Sequence, residues 1–313
     1  MALIEGFFGK KAVESGLKKI TVGVEFELFT LDKDGGMIDG AERLISRVRK
    51  EAPHVDITEE CGKNMIEIRS PYSYNVGAVM KKILQDFESL LSIADKEGIV
   101  LFPYGTYPGS FTPNIWNKKS YRIQQMVFGK RRFSIAARCV GMHCHFSLPK
   151  GVFDYSSRFL RIFPAQKSKS ALENIYNFFI AIDPALTVLT QCSPFYQGNL
   201  LGKDSRLIVY RGGSVLNYEK GLYSKLQEFG ALQPYKMLGI DLEEIIKHQY
   251  DMWSEVLKSV GVVVPPFLKH DSILDVNWKP VKINAHGTIE HRGMDMTTCY
   301  VTSHMAPFFC LSL

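Results

Sequence analysis

Four short segments of this chain alternate apolar and polar side chains with a period of two, which is the signature of half-buried β-strands. In each, the polar set is chemically unusual. The first puts Val22, Val24, Phe26 and Leu28 on one face and Gly23, Glu25 and Glu27 on the other. Two carboxylates spaced this way project side by side about 7 Å apart, an arrangement suited to holding cations. In the second, Ile66 and Ile68 oppose Glu67 and Arg69. The third sets Val140, Met142, Cys144, Phe146 and Leu148 against Gly141, His143, His145 and Ser147. That parity sends Cys144 to the core, away from any nucleophile or ligand role. In the fourth, Thr288, Glu290 and Arg292 line one face.

The alternating segments span 20–30, 64–70, 99–104, 140–148, 205–211 and 281–292, and all read as strands. Helical periodicity runs from about Asn75 to Lys96, with Gly98 as a stop. It recurs from Ser170 to Ile182, with a kink or restart at Pro184, and from Leu242 to Val260, where Trp253 and Met252 read as core or subunit contact. The spacing is not a regular strand–helix alternation, so the pattern predicts an α+β fold with a mostly antiparallel sheet. No Gly-rich phosphate loop is present, and residues 104–117 form a long loop of the kind that often carries function.

Composition narrows the classes. With 313 residues, 46% hydrophobic and 22% charged, the chain is neither disordered, coiled-coil nor collagen-like. It suits one large fold or two lobes. A net charge of +6 is too small and dispersed to argue for nucleic acid. The cluster Lys130–Arg132 with Arg138 reads as a solvated turn or a phosphate-side rim. No apolar run approaches the roughly 18 residues that span a bilayer, and Met1–Lys11 has the wrong order for a secretory signal. Cys61, Cys139, Cys144, Cys192, Cys299 and Cys310 lack metal-knuckle spacing, which points to reduced thiols in a cytoplasm.

Taken singly, each polar pair has an ordinary reading: a solvated Glu-x-Glu, a hydrogen-bonded His pair, a cross-strand ion pair of little worth. Coincidence changes the balance. If the four strands share one sheet and turn these faces the same way, they line a cavity with Glu25, Glu27, Glu67, His143, His145, Glu290 and Arg292. So many carboxylates repel one another unless cations sit among them, and oxygen ligands with an imidazole or two suit Mg²⁺ or Mn²⁺ better than zinc.

The motifs then become recognisable. Gly141-Met-His-Cys-His-Phe-Ser-Leu148, Glu25-Phe-Glu27 and Glu290-His-Arg292 resemble segments of glutamine synthetases. The whole ordered set is more similar to the type 2 glutamate–cysteine ligases and carboxylate–amine ligases that share that fold. Supporting it are Gly23-Val-Glu-Phe-Glu27, Met65-Ile-Glu-Ile68, Gly105-Thr-Tyr-Pro108, Ser193-Pro-Phe-Tyr-Gln-Gly198, Gly202-Lys-Asp-Ser-Arg206 and Thr288-Ile-Glu-His-Arg-Gly-Met-Asp295. The resemblance implies a single catalytic domain over 1–313, with the sheet curved into a metal-lined funnel flanked by helices. It implies Glu25, Glu27, Glu67, His143 and Glu290 as metal ligands, together with an acidic residue just before Glu67, for which both Glu60 and Glu59 fit. Arg292 would face the transferred phosphate and His145 the nucleotide phosphates. Arg206, and then Arg211 and Arg122, are candidates for substrate carboxylate or phosphate. Tyr107-Pro108 departs from the ligases' common His-Pro. Family members usually continue past the Glu-x-Arg strand, whereas this chain stops at Leu313, so it is either a compact member or short of C-terminal helices.

The implied reaction is ATP-dependent. The γ-phosphoryl of ATP is expected to pass to a carboxylate, the γ-carboxylate of glutamate in such ligases, and an amine to attack the acyl phosphate and release phosphate. Glu67 is a candidate base for the amine. Small-molecule substrates are therefore the expected partners, with neither nucleic acid nor membrane, and self-association into a homo-oligomer is left open. Cysteine, another amino acid, an amine or a polyamine would be selected by loops such as 104–117 and 213–222. Rival readings are a metal-dependent hydrolase built on His-x-His, to which His286 and His291 add no clear third ligand, and a guanidino-type phosphotransferase. The last is a catalytically degenerate, ligase-like binding or regulatory subunit.

Overall fold

The computed structural model describes residues 20–161, 164–234, 242–263 and 272–298. Its sheet is built from β1 (Val22–Leu31), β2 (Asp56–Glu59), β3 (Met65–Arg69), β4 (Val100–Phe102), β5 (Gly141–Ser147), β6 (Val281–Ile283) and β7 (Thr288–Asp295). The strand order is β6-β7-β5-β1-β3-β2, with β4 on the far end of β1. Every pairing among these described strands is antiparallel, in line with the α+β expectation.

One face of the sheet is apolar and covered. Phe26, Leu28, Ile66, Ile68, Met142, Cys144 and Phe146 are each at most 1% exposed, so the period-two parity read from the sequence is the parity of the folded strands. Helices α1 (Ala41–Glu51) and α2 (Val76–Lys96) pack at the β2–β3 end. Asn75 caps α2 by accepting from the Ala78 N–H at 3.1 Å, a contact worth about 1 kcal/mol in such helices. Helix α3 (Lys119–Phe128) follows the long loop, and α4 (Gln166–Thr190) lies against β7. There Phe179 meets Phe146 with ring centroids 4.6 Å apart, and Asp183 meets the Nε2 of His291 at 2.8 Å. His291 thus points away from the charged face and is held in the core.

Three sequence expectations need correction. Residues 205–211 form a helix, α5 (Ser205–Arg211), and not a strand. Asp204 caps it by accepting from the Leu207 N–H at 2.7 Å, and the buried Ser205 and Arg206 lie four and three residues before the buried Val209. A short apolar run does not distinguish the two periods, and here the cap decides. Residues 281–292 are not one strand but the β6–β7 hairpin. Its turn is fixed by the Asn284 side chain, which accepts from the His286 and Thr288 N–H groups, and by Gly287 at φ +78°. Helix α4 runs through Pro184 without a restart.

Helix α6 (Leu242–Ser259) sends Trp253 into a ring cluster with Phe128, Phe229 and Trp278, so its indole is core. In the basic cluster, Arg132 donates to the carbonyl of Gly221 at 2.8 Å and Arg138 to that of Phe111 at 3.3 Å, tying loops together. Cys61, Cys139, Cys144 and Cys192 are unbridged. Among the described residues no helix is long and apolar enough to cross a membrane. The expectations for Met1–Lys11, Cys299, Cys310 and the end at Leu313 lie outside the described residues.

Candidate active site

The register of the central strands builds the site. Glu25 stands opposite His143 on β5 and opposite Arg69 on β3, Glu27 opposite Glu67, and His145 opposite Glu290 on β7. Directly opposed residues share a face. The strands therefore gather Glu25, Glu27, Glu67, His143, His145 and Glu290 on the side of the sheet away from the apolar core. Glu27, Glu67, His143, His145 and Glu290 are all buried, and Glu25 is half-buried.

Two ligand-sized groupings result. Oxygens of Glu27, Glu60 and Glu67 lie within 4.8 Å of one another, and so do atoms of Glu25, Glu67 and His143. The geometry separates the two acidic candidates before Glu67. Glu60 joins the first grouping, whereas Glu59 turns outward to Lys118 at 3.1 Å. The Nδ1 of His143 is 3.2 Å from the Glu25 carboxylate. Its Nε2 is buried without a hydrogen bond, 3.5 Å from Glu27. Burial and the Arg292 charge push His143 down to about 4, so its imidazole is neutral near pH 7 and keeps a lone pair for a cation. His145 lies with Nε2 3.1 Å from Glu25 and Nδ1 3.1 Å from the Thr288 hydroxyl. Burial opposes its charge, yet Glu25 raises its pKa.

The carboxylates divide by environment. Burial works against Glu25, but His143 and His145 outweigh it and hold the group well below the usual range. Glu290 is likewise held low despite burial, because Lys282 and Arg292 stand beside it, with Lys282 Nζ at 3.3 Å and Arg292 Nη1 at 3.1 Å. Glu27 is pushed up to about 8 by burial and by Glu60, and Glu67 is pushed well above its ordinary value by burial and the neighbouring Glu25, Glu60 and Glu27. Clustered acids with raised pKa values and an unpartnered buried imidazole nitrogen form a donor set that fits hard divalent cations.

Beside this cluster a cavity of about 350 Å³ opens between Glu25, His145, Arg69, Lys82 and Tyr72. The Tyr72 ring rests on Gly23, where a Cβ would come within 2.7 Å of it. The three arginines offered for substrate do not line this cavity. Arg206 donates to the main-chain carbonyls of Gly293 and Arg292 at 3.2 and 3.3 Å. Arg211 donates to the carbonyls of Gly230 and Trp278, and Arg122, on exposed α3, to the Asn117 side chain at 2.7 Å.

Sequence reasoning missed Lys282 and Asn284, whose Nδ2 lies 3.4 Å from Glu290 and 3.1 Å from His145. The signal was the Asn-Ala-His-Gly turn at 284–287, which makes Lys282 the cross-strand neighbour of Glu290. Asp295 was also missed. It is fully buried, and its Oδ2 accepts from the Ser193 hydroxyl at 2.6 Å and the Cys192 N–H at 3.1 Å.

Glu25, Glu27, Glu60, Glu67 and His143 of this basin all fall in one chain segment that is similar to a known family. Residues 21–165 match the model of glutamate-cysteine ligase family 2. The likeness read from the motifs is therefore borne out. A putative glutamate–cysteine ligase 2 from Chromobacterium violaceum is 24% identical over 184 residues, which are 57% of this chain and 43% of that protein. Among solved structures, a bifunctional glutathione synthetase from Pasteurella multocida superposes with a TM-score of 0.57 at 14% identity, covering 99% of this chain and 41% of that one. A glutamate–cysteine ligase from Francisella tularensis, in complex with AMP, gives 0.56 at 14% identity, covering 94% and 66%. These two likenesses show a shared fold. The chain spans less than half the length of the curated relative it matches. The family 2 segment carries β1, β2, β3 and β5, while Glu290 and Arg292 lie beyond it on β7.

Proposed function

We propose that this chain is an ATP-dependent carboxylate–amine ligase of the glutamate–cysteine ligase kind. The observation that carries the reading is the cross-strand basin of Glu25, Glu27, Glu60, Glu67, His143 and Glu290 with Arg292 at its edge, in a chain whose residues 21–165 match the family 2 model. We read Glu27, Glu60 and Glu67 as one cation-holding set and Glu25, His143 and Glu290 as the parts of a second. Bound there, Mg²⁺ or Mn²⁺ would neutralise charge on the transferred phosphoryl group.

The chain's own groups supply positioning. His145 faces the nucleotide phosphates, and the remainder of the nucleotide lies in the 350 Å³ cavity over Gly23 and Tyr72. Arg292 offers a forked guanidinium to the phosphoryl group as it passes from ATP to the acid substrate's carboxylate. The incoming amine then displaces phosphate from the acyl phosphate. We read Glu67, ionised once cations have displaced its proton, as the group that takes the amine's proton. The degenerate-subunit reading gains nothing, since the ligand set is intact among the described residues. The hydrolase reading gains no third histidine from His291, which is bound to Asp183 on the other face.

The direct test is ADP release with ATP and Mg²⁺, using glutamate with a panel of amines and products read by mass. ADP appearing only with glutamate and one amine, alongside the condensed mass, establishes the ligase and names its acceptor. ADP release that needs no acid or amine would overturn it.

Cation binding carries its own pH signature. The Glu27 pKa in the cation-free fold, about 8, lies above its unfolded value of 4.5. The stability this contributes is fully present below about pH 4.5 and is lost as pH rises through about 8. Cations must displace the protons held by Glu27 and Glu67, while Glu25 and Glu290 stay ionised throughout. Mg²⁺ alone should therefore raise the thermal midpoint more at pH 8.5 than at pH 6. At 100 times its Kd a cation adds about 2.7 kcal/mol. An equal gain at both pH values would remove the carboxylate cluster as the binding site.

A further inference from the structure

We propose that Arg206 is a positioning residue that grips the bulge of β7 and so aims Arg292 at the cation-binding face. The inference rests on the ligase reading and reassigns a side chain that sequence alone offers to the substrate.

The bulge is explicit in the register. His291 pairs with Cys144 but Met294 pairs with Met142, so β7 takes three steps where β5 takes two. A bulge leaves backbone groups without ladder partners and re-aims the side chains it carries. The residues inside it are Arg292 and Gly293, and their carbonyls are the two acceptors that Arg206 serves, Nη2 to Arg292 and Nη1 to Gly293. Arg206 reaches them from α5 and is only 6% exposed. Room for the guanidinium comes from Gly141, where a Cβ would lie 2.2 Å from Nη2. The same Gly141 donates its N–H to Glu27 at 2.5 Å. The clamp is therefore wedged between the strand that carries Arg292 and the residue that seats Glu27.

The charge of the clamp is also provided for. Asp295 and Glu27 favour the guanidinium despite its burial. Asp295 is available only because the bulge switches parity: Met294 goes to the core at 0% exposure and Asp295 lands opposite Gly141. Ser193 and Cys192 then fix its Oδ2. A guanidinium with two Nη groups on adjacent carbonyls, buried over Gly141, is built to hold backbone. Lysine has one compact ammonium and cannot reproduce this two-point grip.

The experiment is Arg206→Lys, with Arg206→Gln as a second variant that keeps one donor, in the intact chain. Expected for the clamp is a fall in kcat of about 10²-fold, with KM for ATP and for the acid substrate within about threefold of the parent. Hydrogen exchange at the amides of 292–295 should be at least about tenfold faster, while β1 and β3 keep their protection. Partial recovery of kcat by millimolar methylguanidinium in the Gln variant supports the same assignment. A large rise in KM for the acid substrate with kcat retained would make Arg206 a substrate ligand and overturn the clamp. A lowered thermal midpoint with unchanged turnover per folded molecule would also overturn it. If the parent chain ligates nothing, the ligase reading fails separately, and the exchange data still decide whether Arg206 holds the bulge: unchanged exchange at 292–295 refutes it.

Discussion

Glu27→Gln removes ATP-dependent ligation, by at least about 10³-fold, and leaves a folded protein that is more stable than its parent when divalent cations are absent and the pH is above 8. Both halves come from the same environment. Glu27 is buried against Glu60 and Glu67, so in the cation-free fold its ionised form is disfavoured and its pKa rises to about 8. A neutral amide relieves that repulsion and still offers an oxygen to the Gly141 N–H. With a cation the sign reverses. One anionic ligand is gone, and several kcal/mol of charge stabilisation at the moving phosphoryl group goes with it, each 1.36 kcal/mol being a tenfold loss of rate. Thermal melts in EDTA at pH 8.5, paired with the ADP-release assay, read the two effects. Full turnover in the variant, or a Mg²⁺-induced thermal gain as large as the parent's, would falsify the ligand assignment.

Arg292→Lys should lower kcat by about 10²–10³-fold while Mg·ATP affinity, measured by calorimetry, stays within about threefold. Lysine keeps the positive charge that Glu290 sees, 3.1 Å from the present Nη1, so the ground-state site survives. What it lacks is the planar fork that meets two oxygens at once, and that matters most as charge redistributes over the phosphoryl group. Equal losses in turnover and affinity would reduce Arg292 to a binding group.

The parts of this molecule that the sequence revealed are those where side-chain period alone decides direction. Strands β1, β3 and β5 are regular, so Glu25, Glu27, Glu67, His143 and His145 could be placed on one face by counting in twos, and Cys144 on the other. Counting fails where a backbone irregularity enters. Beyond Arg292 the β7 bulge inverts parity, and Asp295, an odd step from Glu290, returns to the charged side. Loop geometry was equally invisible: Glu59 and Glu60 are adjacent in the chain, and only the path from β2 to β3 turns one inward and the other toward Lys118. Segment 205–211 misled for a third reason. Its buried arginines, Arg206 and Arg211, break the hydrophobic period, and their burial is tolerated because main-chain carbonyls receive them. Charge type in a sequence does not reveal whether its partner will be a ligand or backbone.

The order in which the basin's walls occur along the chain has a temporal consequence. Glu27, Glu60 and Glu67 all precede residue 70, and His143 completes their side of the sheet, whereas β7 reaches β5 across 143 residues, as the contact from His145 to Thr288 records. During synthesis a nascent chain can assemble the first carboxylate grouping long before Glu290 and Arg292 have been made. Until β7 docks, those three acids face one another without Arg292, with the Arg69 guanidinium 3.0 Å from Glu67, and the half-built sheet exposes the edge of β5. Divalent cations present at that stage would favour the compact form of the early strands, so the metal would act first as a template for folding and only afterwards in turnover.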